Sequence, residues 1–230
     1  MDLALFTYPG LHYLLKWLHF FFGIMWIGHL YYFNFTQGAF MAAVDAPTKS
    51  QAQQKLFPVA LWWFRWGAMW TLVTGLAMLH TASYTGFSIQ GDWGVKILTG
   101  SLFGILMWAN VWFVIWPNQK IVIANAENTA KGQPADPNAA GAAAKALLAS
   151  RTNTMFSVPM LFFMGAAPHL PIQMDMERAG TWYVILLVIA GALEANALKG
   201  KLGPMTTVKG VITCGFALAA VVYGLMEIVL

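Results

Sequence analysis

Long, nearly uncharged apolar blocks recur along this chain, each close to the ~20 residues a helix needs to cross the hydrocarbon core of a bilayer. Six can be read, over residues 11–36, 56–80, 93–116, 153–171, 181–198 and 206–228. Lipid cannot satisfy the open edge of a sheet, so spans of this kind are helices. The chain is 59% hydrophobic and only 10% charged, against roughly 25% charged in an average soluble domain. The expected fold is therefore all-α: a polytopic transmembrane helical bundle of about six spans, forming one membrane domain over residues 1–230. The first block is too long and too aromatic for a cleaved signal peptide. The single cysteine, Cys214, excludes an intrachain disulfide and a cysteine metal cluster, and no CxxCH stretch exists for a covalent c-type haem.

Lys and Arg set the orientation. Nine of them lie in the segments 37–55 (Lys49, Lys55), 118–152 (Lys120, Lys131, Lys145, Arg151) and 199–209 (Lys199, Lys201, Lys209). The alternate segments carry only Arg178. The positive-inside rule then places the first group in the cytoplasm and both termini on the periplasmic side of a bacterial inner membrane. The net charge of +4 reflects this topology rather than nucleic-acid binding. The connection 118–152 is the one long segment, and its stretch KGQPADPNAAGAAA (131–144) reads as a mobile cytoplasmic linker.

Ionisable residues inside spans are costly and mark function or a buried partner. His12, Lys16 and His19 share one face of the first span with Gly23 and Trp26. His80 closes the second span, His169 closes the fourth, and Lys96 opens the third, all toward the same outer level. Imidazole is a common haem-iron ligand. His19 with His80 or His169 is thus a candidate axial pair for haem b, and Lys16, Lys96 or Arg178 could meet its propionates. Taken singly, each histidine reads equally well as an interfacial, hydrogen-bonded residue. A second polar group lies toward the opposite side: His29, Asn34, Arg65, Asn110, Arg151, Asn153 and Glu194. Arg65, set among Trp62, Trp63, Trp66 and Trp70, needs an acid, a carbonyl or an aromatic face. One reading is a structural Arg65–Glu194 or Arg65–Trp contact. The other is a pocket for an anionic or quinone-like molecule, with His29, Arg65, Asn110 and Glu194 as its candidate lining.

Three stretches carry a family resemblance: HFFFGIMWIGHLYYFNF (19–35), WGVKILTGSLFGILMWANVWFVIWPNQK (93–120) and SRTNTMFSVPMLFFM (150–164). Together they resemble the membrane domain of bacterial urate hydroxylases, the urate oxidase N-terminal family, from about residue 11 onward. More distantly, Lys16 to His19, Trp26 and Tyr31–Tyr32 are similar to the first helix of small haem-associated protoporphyrinogen oxidases. The urate hydroxylase resemblance implies oxidation of a purine, with electrons passing to a cytochrome c domain that follows the membrane domain. Here the sequence stops at Leu230, directly after the last apolar block, so a separate periplasmic cytochrome c is the expected partner. The expected function is a haem b redox protein of the inner membrane. The alternative is a non-catalytic accessory subunit of a larger respiratory or photosynthetic complex.

Overall fold

Proline, threonine and aspartate mark where the helices of the computed structural model begin. It describes residues 3–230, and Met1 and Asp2 lie outside the described residues. Helix α1 (Tyr8–Tyr31) starts where the Thr7 hydroxyl accepts the Gly10 N–H, with a proline in the first turn. It continues through a π-helical turn, Tyr32–Gln37, into α2 (Gly38–Ala43). Asp45 caps α3 (Ala46–Gln51), and the Thr48 hydroxyl and N–H hold its carboxyl below the usual carboxylate range. A second π-helical turn, Ala52–Leu56, leads into α4 (Phe57–Thr81). The chain then reverses through a short 3-10 turn and Gly86, whose φ of 83° needs a residue without a Cβ. Helix α5 (Asp92–Ala109) passes through a third π-helical turn, Asn110–Ile115, into α6 (Trp116–Ala130). Helices α7 (Ala139–His169), α8 (Ala179–Lys199) and α9 (Val208–Val229) follow.

Joined end to end, these elements make six rods that coincide with the six apolar blocks, and no strand occurs among the described residues. The protein is an all-α, polytopic transmembrane bundle. Three rods meet a strict length-and-composition test for a membrane span: Asp92–Ala130, Met176–Lys199 and Val208–Val229. The rods built on α1, α4 and α7 fall short of it because they carry Trp, Tyr, His, Thr and Asn where the others carry Leu, Ile and Val. The connection 118–152 differs from its sequence reading. Helix α6 runs to Ala130 and α7 begins at Ala139, so only residues 131–138 lie outside helices. Alanine favours the helix strongly enough to absorb most of the Ala-rich stretch.

Helix α7 is the centre. It packs against α5, α6, α8 and α9 and meets α1 at one end. Phe156, Phe163, Phe103, Met107 and Trp182 are buried along this core. Helices α1 and α4 form a separate antiparallel hairpin with a seven-residue register: His12 faces Thr81, His19 faces Thr74, and Trp26 backs onto Gly67. The end of the bundle carrying the 82–91 turn is the Gly86 end, and the opposite one is the Lys120 end.

Small residues set the closest approaches. A Cβ on Gly100 of α5 would stand 3.2 Å from both the Met160 carbonyl oxygen and the Met164 nitrogen of α7. Backbone cannot step aside cheaply, so Gly100→Leu is expected to cost about 1–3 kcal/mol through overpacking. Gly191 of α8 has open space at its Cβ position, and Gly191→Leu is expected to be close to neutral. Unfolding midpoints in mixed micelles check the contrast, and equal effects of the two would refute this packing.

Candidate functional site

The outer histidines are held by threonines. Thr74 donates its hydroxyl proton to the Trp70 carbonyl at 2.7 Å, so its oxygen accepts from His19 Nδ1 at 3.1 Å. Thr81 likewise donates to the Ala77 carbonyl and accepts from His12 Nδ1 at 2.9 Å. Both imidazoles therefore carry their proton on Nδ1, which leaves the Nε2 lone pair free, the arrangement a ligating histidine requires. The sequence reading did not single out Thr74 and Thr81. The signal was present in their seven-residue spacing, which matches that of His12 and His19, but it has meaning only once α1 is paired with α4.

Around His19 the bundle opens. Tyr31 donates to the Ser157 hydroxyl, which itself donates to the Thr154 carbonyl, and this contact sets one face of α1 on α7. On that face Ile27 is 9% exposed, but one and two turns nearer the Gly86 end Phe20 is 62% and Tyr13 60% exposed. The hairpin thus diverges from α7 toward the Gly86 end. Gly23, between these levels, meets nothing within 4 Å of a Cβ position. Carrying the Tyr31–Ser157 register twelve residues outward on each helix brings His19 level with His169. His169 is exposed at the end of α7.

His80 belongs to a different place. It is exposed and lines a surface recess of about 500 Å³ with Leu79, Ser83 and residues 86–90. It stands six residues beyond Thr74 on α4, which turns it well away from the side that holds His19. Lys96 is 1% exposed, and its ammonium donates to Asp92 at 3.1 Å and to the Leu170 carbonyl at 2.6 Å. It ties the start of α5 to the end of α7 and also borders a neighbouring cleft of about 490 Å³. Lys16 has no acidic partner among the described residues, and Arg178 pairs with Asp175 at 3.2 Å.

The second polar group is divided by the rod of α5 and α6. On one side, the Asn110 amide donates to Asn153 Oδ1 and to Glu194 Oε2, each at 3.0 Å, and Asn153 donates to the Met107 carbonyl at 2.9 Å. Asn110 and Asn153 are buried, and Asn110 Oδ1 has no partner. On the other side, the Arg65 guanidinium lies 3.5 Å from the Trp116 ring centroid and 5.7 Å from that of Trp112. Trp112 is two residues from Asn110, hence on nearly the opposite side of the helix. Arg65 therefore takes the aromatic alternative, and Glu194 is bound to asparagine instead. The tryptophans of its own helix, Trp62, Trp63, Trp66 and Trp70, are exposed toward lipid. His29 donates from Nδ1 to the Met25 carbonyl at 2.7 Å, and Asn34 donates to Leu30 and Ser150. One Arg151 nitrogen is buried without a partner.

Fold and polar groups together define a polytopic membrane protein with hydrogen-bonded histidines at one end and an arginine–asparagine layer toward the other. A family model described as Urate oxidase N-terminal matches residues 81–223, more than half of the chain, and the chain belongs to that family. The stretches 93–120 and 150–164 fall inside the match, whereas 19–35 precedes it. No curated protein and no solved structure matches the chain.

The residues at the Gly86 end fit haem b in chemistry. His19 offers a free Nε2, Gly23 leaves space where a Cβ would stand, and Lys16 is a cation without an acid. In the asparagine layer, Asn153→Leu removes an acceptor from a buried amide and is expected to cost about 1–3 kcal/mol. Glu194→Gln keeps an acceptor oxygen for Asn110 and should be nearly neutral. Comparison of the two unfolding midpoints checks this, and equal losses would show that the Asn110–Asn153 bond is not special.

Proposed function

We propose that this protein is an inner-membrane oxidoreductase of the urate hydroxylase type. It binds haem b at the Gly86 end and exchanges electrons with a periplasmic cytochrome c. The single observation that carries this reading is His19, held by Thr74 in the tautomer that frees Nε2, beside an opening between helices, in a chain of this family. His169 is the favoured second ligand because it is level with His19, and His80 is the other candidate. When bound, haem b would supply one-electron redox chemistry. Thr74 keeps the His19 ring from turning and holds its proton on Nδ1. Lys16 would neutralise a propionate, and Phe20 and Tyr13 would wall the opening against water. The nine-to-one distribution of Lys and Arg supports a cytoplasmic Lys120 end and periplasmic termini.

The accessory-subunit reading has one observation in its favour. The exposed aromatic face of α4, from Trp62 to Trp70, could lie against other subunits as well as lipid. The dithionite-reduced absorbance spectrum separates the two. A b-type α band is expected, with the band lost in His19→Ala and displaced in Thr74→Val, which frees the imidazole proton. A colourless wild-type protein would favour the accessory role. For topology, in a Cys214→Ser background, a membrane-impermeant maleimide added to intact cells should label a cysteine at Gln90 and not one at Gln133. Labelling of Gln133 would reverse the orientation.

A further inference from the structure

The Arg65 group lies outside the redox reading, and its chemistry is unfinished. The guanidinium stacks on Trp116 at 3.5 Å, and the Lys120 ammonium approaches the same ring at 5.7 Å. Two cations thus share one indole. No carboxylate pairs with either of them among the described residues. Arg65 Nε and Trp112 Nε1 are both buried, and neither donor has an acceptor. Trp66 packs edge-on against Trp112 and holds that indole in place. A stacked guanidinium keeps its in-plane N–H groups free for an acceptor, and a buried donor left without one costs about 1–3 kcal/mol.

The position of the group limits what can complete it. An arginine side chain on a helix leans toward the helix N-terminus, which for α4 is the Lys120 end. Just past Trp116, α6 becomes polar, with Asn118, Gln119 and Lys120, and Lys120 is exposed. The group therefore stands where the membrane gives way to water, with Trp62 and Trp63 exposed toward lipid on the adjoining helix.

We propose that Arg65, Trp112 and Lys120 form a binding site for a phosphate-type oxyanion at the lipid–water boundary of the Lys120 end. The oxyanion would accept from Arg65 Nε and Trp112 Nε1 and neutralise the two cations, while Trp116 fixes the guanidinium plane. The same chemistry is offered by the headgroup of an anionic lipid and by a free anion in the adjoining water.

Thermal unfolding of the purified chain in a neutral detergent tests the site without haem or substrate. The probes are dioleoylphosphatidylglycerol, dioleoylphosphatidylcholine and sodium phosphate, with sodium chloride as the control at matched ionic strength. A ligand of the folded state raises the midpoint by mass action. The expected result is a saturable rise with phosphatidylglycerol or with phosphate. A rise with phosphatidylglycerol alone assigns a lipid headgroup, and a rise with phosphate assigns a free anion. Loss of a charge-assisted bond should weaken the response about tenfold or more in Arg65→Gln. Trp112→Phe keeps a ring and removes only the N–H, so it should weaken the response while leaving the fold intact. The proposal is overturned if no probe exceeds sodium chloride, if phosphatidylcholine acts as well as phosphatidylglycerol, or if the Trp112→Phe protein responds like wild type.

Discussion

A serine or threonine hydroxyl has one proton to give and two lone pairs to receive with, and this bundle uses both at once. In each case the proton goes to a carbonyl on the hydroxyl's own helix, and the oxygen then accepts a donor from another helix. Thr74 receives His19, Thr81 receives His12, Ser157 receives Tyr31, and Thr99 receives Trp182. No water is at hand in lipid to serve as a substitute partner. Each pairing therefore fixes three things together: which helices touch, at what depth, and which atom holds the proton. The hairpin of α1 and α4, the placement of α8 on α5 and the docking of α1 on α7 all depend on this one device.

The two ends of the molecule follow different rules. Toward the Gly86 end the hairpin leans away from the central helix, and aromatic side chains border open space. Toward the Lys120 end the same helices close on a core containing Leu30, Phe64, Met107 and Phe156. Polar side chains in this closed half sit in layers, with one asparagine answering another and an arginine on indole. A bundle that is tight at one end and open at the other can admit a flat molecule without giving up its packing elsewhere.

Much of this architecture was legible in the sequence. Length alone marked all six rods, including the three whose tryptophans, tyrosines and histidines lower their apolar score. The helical ends of the 118–152 connection were not legible, because proline and glycine in its middle masked the alanines on either side. Arg65 was recognisable as a residue in need of an aromatic partner. Its partners are nonetheless Trp112 and Trp116 from a distant segment, since the tryptophans nearest in sequence turn toward lipid. The proximity of Arg65 to Glu194 in depth was a true inference that failed as a contact, because depth does not say which side of an intervening helix a side chain occupies. The histidine–threonine pairs were hidden for a related reason: matching spacings on two helices mean nothing until the pairing of those helices is known.

The π-helical turn at Asn110–Ile115 separates the two sides of that intervening helix. Such a turn holds one residue more than an α-turn would. Its presence sets the angular phase of everything after it. Removal of a single residue from 110–115 would let the rod relax to a plain α-helix and rotate α6 by about 100° relative to α5. Asn110 would still meet Asn153, but Trp116 would swing from beneath Arg65. In this segment the hazard for a drifting lineage is thus a change of length rather than of residue type. The chain can exchange many apolar side chains here, yet it has little freedom to gain or lose one.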